Sequence, residues 1–166
     1  MSWRFSAETN APAFTDMIEM RRARAEDAQS VRQLVREAYA RWVPVIGREP
    51  MPMLADYDAA IRDHEIDLMV DDGEIIALIE TIAHPDYLFI ENIAVSPLHQ
   101  GKGLGRRLLF HAERQAEAAG LFELRLLTNG AFEANVRLYQ SAGFQIEKTE
   151  PFMGGTTVYM RKQLGG

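Results

Sequence analysis

The stretch from Val95 to Leu109, VSPLHQGKGLGRRLL, limits what this chain can become more than any other. It reads as a strand ending, a glycine turn and a helix beginning. Upstream, Tyr87 to Val95 is apolar and β-prone. Pro97 stops that strand, because it has no amide to give to a ladder. Downstream, Leu104, Leu108, Ala112 and Ala116 recur every four residues, which is one face of a helix. Between them lie Gly101, Gly103 and Gly105, alternating with Lys102 and Leu104. Glycine lets backbone amides come close to a ligand, since no Cβ stands in the way. A helix start adds amides without partners and a positive dipole end. Together these make an anion site, and diphosphate is its usual occupant. Lys102, Arg106 and Arg107 crowd positive charge onto the same end, where each cation is unfavourable by roughly 0.3–1 kcal/mol unless something negative sits nearby. The competing reading is a plain strand-to-helix turn with solvated bases.

Two diphosphate-binding patterns are excluded. The P-loop needs Ser or Thr after its lysine, and Lys102 is followed by Gly103. The dinucleotide fingerprint GxGxxG fails because the glycines alternate. The segment instead resembles the acyl-CoA loop of the GNAT superfamily of N-acyltransferases, Q/R-x-x-G-x-G/A, with Gln100, Gly103 and Gly105 in the matching places. The flanks, Ile93-Ala94-Val95 and Leu108-Leu109, are also those of that family. A second match is Leu138-Tyr139 with Gly143-Phe144, the family's LYxxxGF signature. The resemblance covers almost everything from residue 17 onward, and its specific part is residues 91 to 144.

Composition narrows the setting. The chain has 166 residues, enough for one domain with a proper core. We expect a polar lead-in over 1–16, broken by Asn10-Ala11-Pro12, and a single domain over 17–166. No apolar run approaches the length of a membrane span, and the N-terminus lacks the apolar centre of a signal peptide. The absence of cysteine excludes disulfides, thiolate metal sites and a cysteine acyl-enzyme, and fits a reducing cytoplasm. The net charge of −6 argues against nucleic acid as a general partner and mildly favours a cationic substrate.

In chain order, a strand is expected over Met17–Arg22 and an amphipathic helix over Glu26–Trp42, with Ala28, Val31, Leu34, Val35, Ala38 and Trp42 on its apolar face. Trp42 to Met53 carries three prolines and a glycine, which forbid a regular helix. Its apolar character suits either a loop packed on the core or a loop facing substrate. A helix from Leu54 to His64 has Asp56, Tyr57 and Asp58 in its first turn. Strands over 68–70 and 74–82 meet at Asp71-Asp72-Gly73, a hairpin signal. The strand over 87–95 and the helix to Ala119 follow, with Gly120 as its C-terminal cap. A strand over 122–128 comes next, then a helix over 131–142 capped by Asn129. A final hairpin joins 144–149 to 156–160 across Pro151 and Gly154-Gly155. The order β-α-α-β-β-β-α-β-α-β-β is an α/β arrangement, a mixed sheet with helices on both faces. The resemblance implies the same topology, with the CoA chain entering where the fourth and fifth strands splay apart.

The reaction implied by the resemblance is transfer of an acetyl group from acetyl-CoA to a primary amine, by direct transfer in a ternary complex. The acceptor is a small-molecule amine or a peptide. An alkyl amine near pKa 10 is mostly protonated, and exposing its lone pair costs roughly 4 kcal/mol at neutral pH. A carboxylate can take that proton, and a donor can assist the departing thiolate. For the donor we select Tyr139, since the family tyrosine points at the CoA sulfur; otherwise it packs on the sheet. For the base we select Glu91, which alternation would place on one strand face with Phe89, Ile93 and Val95. A carboxylate in so apolar a run is costly to bury without a partner or a task; the alternative is a salt-bridged glutamate at the rim. Glu80 and Asp56 are weaker candidates. The CoA contacts are expected from backbone groups of Gln100, Gly101, Lys102, Gly103, Leu104, Gly105 and Arg106, with Ile93, Ala94 and Val95 pairing with the pantetheine amides. The common family pattern has an asparagine where this chain has Phe132, so Asn135 is retained as the pantetheine contact. His64, His84, His99 and His111 show no metal-ligand spacing and are expected on the surface or in loops. A non-catalytic acyl-CoA sensor is the rival reading, and a homodimer is an expectation of the resemblance alone.

Overall fold

The computed structural model describes residues 17–165; the expected lead-in over 1–16 lies outside them. The chain forms β1 (Ile18–Arg22), α1 (Ala28–Tyr39), a single turn α2 (Val43–Ile46), α3 (Tyr57–Asp63), β2 (Glu65–Asp71), β3 (Glu74–Ala83), β4 (Leu88–Val95), α4 (Leu104–Ala118), β5 (Glu123–Asn129), α5 (Glu133–Ser141), β6 (Gln145–Phe152) and β7 (Gly155–Gln163). The strands make one sheet in the order β1-β2-β3-β4-β5-β7-β6. Only β4 and β5 run parallel; the other neighbours are antiparallel. Apart from the extra turn α2, this is the expected order.

Two apolar layers explain the helices on both faces. Leu104, Leu108, Leu109, Ala112 and Ala116 of α4 bury themselves against Met69, Ala77, Ile79, Leu124 and Leu126, and Tyr139 and Phe144 join them. Val31, Leu34, Val35 and Ala38 of α1, with Tyr57 and Ala60 of α3, cover Ile66, Leu68, Leu78 and Ala94 on the opposite side. The helical period of these residues fixes which stripe each helix presents.

Two irregularities in the sheet shape the site. First, β4 and β5 are in register only over Leu88–Ile90 against Leu124–Leu126. Beyond Ile90 they part, as the resemblance implied. In the gap the Ile93 carbonyl accepts from the Tyr39 hydroxyl at 3.2 Å, and the Val95 carbonyl accepts from the Gln100 amide at 3.1 Å. Second, β4 bulges against β3. Glu80 opposes Asn92 and Thr81 opposes Ile90, which leaves Glu91 unmatched. An extra residue reverses the two-residue alternation. Leu88 and Ile90 pack beneath α4 before the bulge, and Ile93 and Val95 do so after it, whereas Ala94 joins the α1 side. The expected simple alternation grouping Glu91 with Phe89, Ile93 and Val95 is therefore wrong, because it carried one register through the bulge.

Other expectations need local correction. The proline-rich segment does hold one helical turn, since Pro44 sits in the first turn of α2, where a missing amide is harmless. Asn129 does not cap α5 directly; its Oδ1 accepts from the Ala131 amide and closes the turn ahead of the helix, whose N-cap is Phe132. Pro151 lies within β6, not in the turn, which is tolerated because β6 is an edge strand.

Candidate active site

The glycine turn is built for two purposes. Gly101 and Gly103 have φ of +79° and +81°, and Gly103 is the N-cap of α4. A Cβ at either would meet nothing within 4 Å, so glycine is required there by backbone conformation, not by space. Gly105 differs. A Cβ there would stand 3.0 Å from Leu138 Cδ2, so this glycine lets α4 and α5 approach. Of the three cations read at this end, Arg106 ties the two helices together through Ser141 Oγ at 2.6 Å, and Arg107 keeps a buried Nη1 without a partner. Lys102 is exposed. The Gln100 side chain spans the turn, donating to Val95 and accepting from Arg41 Nη1 at 3.2 Å.

Two cavities meet beside β4. One, of about 390 Å³, runs along the glycine turn and is lined by Ile93, Ala94, Val95, Gln100, Gly101, Gly103, Leu104, Gly105 and Arg106, with Arg41 and Trp42 opposite. The other, of about 490 Å³, is walled by Met51, Leu54, Asp56, Tyr57, His64, Glu80, Glu91 and Phe152. Tyr39, Ile93, Asn135 and Tyr139 line both. Trp42 stacks on Phe132 with centroids 4.6 Å apart, and Phe132 is buried. The ring therefore fills the wall where the common family pattern has an asparagine.

A hydrogen-bonded chain that the sequence reading did not anticipate fixes the floor of the second cavity. The Tyr39 hydroxyl lies 2.7 Å from Asn92 Oδ1. Asn92 Nδ2 donates to the Tyr57 hydroxyl at 3.1 Å, which donates to the Pro52 carbonyl at 2.6 Å. Asn92 is buried, so both ends of its amide need such partners. The chain fastens the proline-rich segment to β4. That segment both packs and faces the cavity: Met53 is buried, while Met51 and Leu54 line the opening. Burial pushes the Tyr39 and Tyr57 hydroxyls above their ordinary range, with Glu80 and Glu91 adding to the effect.

The titratable groups divide by environment. Tyr139 is 8 % exposed, and burial pushes its hydroxyl up to about 12. Glu91 opens onto the second cavity. Burial raises its carboxyl above the usual range, the Glu80 carboxylate raises it further, and His64 partly offsets both. Glu80 is 4 % exposed and lies 2.6 Å from His64 Nδ1. Asp56 serves structure, accepting from the Ala59 amide as the N-cap of α3. His64, in the connection between α3 and β2, and His111, on α4, are partly exposed, and each pairs with an acid: His64 with Glu80, and His111 with Asp67 at 2.8 Å. A sequence cannot show such pairs when strand pairing and helix packing bring them together. Among the described residues, no group of histidines and acids is arranged to hold a metal, and no helix is long and apolar enough to cross a membrane.

A family model described as the acetyltransferase (GNAT) family matches residues 28–144. The chain belongs to the GNAT acetyltransferase family. Among curated proteins it is similar to the mycothiol acetyltransferase of Nocardiopsis dassonvillei, at 43 % identity over 58 residues, 35 % of this chain and 18 % of that protein. It is also similar to the alanine N-acetyltransferase of ribosomal protein bS18 from Escherichia coli, at 36 % identity over 76 residues, 46 % of this chain and 51 % of that protein. The chain thus spans about half the length, or less, of these relatives. Among solved structures it resembles a PaiA N-acetyltransferase from Thermoplasma acidophilum in complex with coenzyme A, with TM-score 0.77 and 21 % identity over 88 % of this chain and 98 % of that one. The resemblance read from Gln100, Gly103, Gly105 and the LYxxxGF segment is borne out at the level of fold and family.

Proposed function

We propose that this chain moves an acetyl group from acetyl-CoA to a primary amine, directly between two bound partners, and that the acceptor is a small-molecule amine. The observation that carries this reading is the junction of the two cavities at Tyr39, Ile93, Asn135 and Tyr139. A thioester in the first cavity meets an amine in the second there, with no covalent relay through the protein.

The first cavity fits acetyl-CoA on structural grounds. Gly101 and Gly103 are left-handed, Gly103 is the N-cap of α4 with no side-chain cap, and the first amides of a helix have no partners within it. Backbone groups of Gln100 to Arg106 therefore receive the diphosphate, and Lys102 and Arg106 supply charge at the same end. Ile93, Ala94 and Val95 lie where β5 has turned away, so they pair with the pantetheine arm. Asn135 contacts the same arm. Glu91 takes the proton that frees the amine, and Tyr139 donates to the departing sulfur. The second cavity is mainly apolar with acids along one wall, which suits an ammonium on an apolar body. Its size of about 490 Å³ favours a small molecule. The likeness to the bS18 alanine acetyltransferase supports a peptide acceptor as the second reading.

Thiol release from acetyl-CoA, followed with a panel of small amines and an alanine-terminated peptide, tests the proposal. Turnover with a small amine supports it, and turnover with the peptide alone replaces it with the second reading. Coenzyme binding without turnover on any member overturns it in favour of a sensor. Gly103→Val tests the cradle separately. A side chain in this left-handed position costs about 1–2 kcal/mol, so the turn shifts and its amides lose their aim. We expect roughly tenfold weaker coenzyme A binding by calorimetry. Unchanged affinity would move the diphosphate away from this turn.

A further inference from the structure

Resting on the acetyltransferase reading, we propose that His64, held by Glu80, is the group that finally holds the acceptor's proton and passes it to solvent. His64 ends α3 and leads into β2, while Glu80 lies on β3 beside the bulge. The fold brings both to the second cavity, together with Glu91.

The geometry sets the roles. Glu80 is 4 % exposed and its Oε2 is 2.6 Å from His64 Nδ1. A carboxylate so placed accepts from Nδ1–H, so the ring's other nitrogen, Nε2, carries the lone pair. Among the described residues Nε2 has no hydrogen-bond partner, and a third of the His64 side chain is exposed, which gives the proton a way out. Glu80 also supplies a negative charge against the imidazolium that forms.

A carboxylate alone is a poor resting place for this proton. Even with its pKa raised, Glu91 is a far weaker base than an alkyl amine, and a base works best when its pKa lies near the working pH. Imidazole is the side chain whose ordinary pKa meets that condition. The ammonium gives one proton to Glu91, which hands it to His64 Nε2 and so to water. The nitrogen lone pair forms the C–N bond, and the C–S bond breaks. The second nitrogen proton replaces the one Tyr139 lends to sulfur, so the products are an amide, a thiol and one released proton. His64 acts through Glu91 and is a positioning and relay residue.

The test uses phenethylamine, putrescine, L-methionine sulfone and an alanine-terminated peptide with acetyl-CoA, taking whichever the wild-type chain acetylates fastest. His64→Gln keeps a donor to Glu80 but cannot hold a proton. We expect kcat to fall roughly tenfold at neutral pH, with the loss shrinking as pH rises. His64→Ala should lose at least as much and recover on adding free imidazole, and neither variant should change coenzyme A affinity. Independently of any acceptor, nitrogen NMR should show His64 as the Nδ1–H tautomer in the wild type and lose that preference in Glu80→Gln. The proposal is overturned if His64→Gln keeps the wild-type rate and pH profile, or if the ring rests as the Nε2–H tautomer. Failure of every amine with the wild type would instead sink the acetyltransferase reading, while the tautomer measurement still decides the dyad.

Discussion

Replacing Tyr139 by phenylalanine should lower kcat about 100-fold and leave coenzyme A affinity within about twofold. The ring is retained, so its edge contact with Phe144, centroids 6.0 Å apart, and its place beneath the sheet survive. What disappears is one buried hydroxyl. With its pKa pushed up to about 12, that hydroxyl keeps its proton at neutral pH and is available as a donor. Complete transfer from so weak an acid to a thiolate runs uphill. In the proposed mechanism Tyr139 would therefore stabilise the developing charge on sulfur through a hydrogen bond, its proton moving fully only as the nitrogen supplies another. Such an interaction exists in the transition state and not in the ground state, so the loss belongs in kcat and not in KM. Removing a buried hydroxyl without leaving a partner stranded is nearly neutral for stability. Single-turnover measurements with the variant decide the matter: an unchanged chemical step means that another group assists the leaving thiol.

The left-handed glycine turn was legible because Gly101 and Gly103 declare that conformation in sequence. Tyr139 was legible for a similar reason, as a fixed step along α5 from Gly143 and Phe144. Local signals also gave the α4 stripe and the β2–β3 turn, where Asp72 and Gly73 both take positive φ. What escaped was non-local. The bulge at Glu91 depends on how β3 and β4 register, and nothing between Leu88 and Val95 announces it. The Tyr39–Asn92–Tyr57–Pro52 chain joins four separate elements, and His64–Glu80 joins the end of a helix to the middle of a strand. Each of these residues, read singly, is an ordinary side chain on a periodic face. Gly105 shows the converse: the motif marked it as important, but only the packed structure shows that Leu138 is the reason.

Glu91→Gln should separate activity from stability. The bulge pushes this carboxylate into the cavity instead of letting it return to a strand face, and burial with Glu80 nearby raises its pKa above the ordinary 4.5. A raised carboxyl binds its proton more tightly in the folded state than in the unfolded one. Its contribution to stability is therefore fully present below about 4.5 and is lost as pH rises through the folded-state value. At neutral pH the ionised Glu91 thus works against the fold, and glutamine relieves that. Because the group is open to solvent the gain is small, about 1–2 °C in Tm at pH 7 and nothing at pH 4. Activity should move the opposite way. Without a carboxylate to accept the first proton, kcat/KM should fall about 100-fold, and the acid limb of its pH profile should disappear. Loss of activity together with lower stability at pH 7 would mean that Glu91 is a structural partner in the bulge. A more stable and much slower enzyme is the outcome expected of a base held in an unfavourable place for its chemistry.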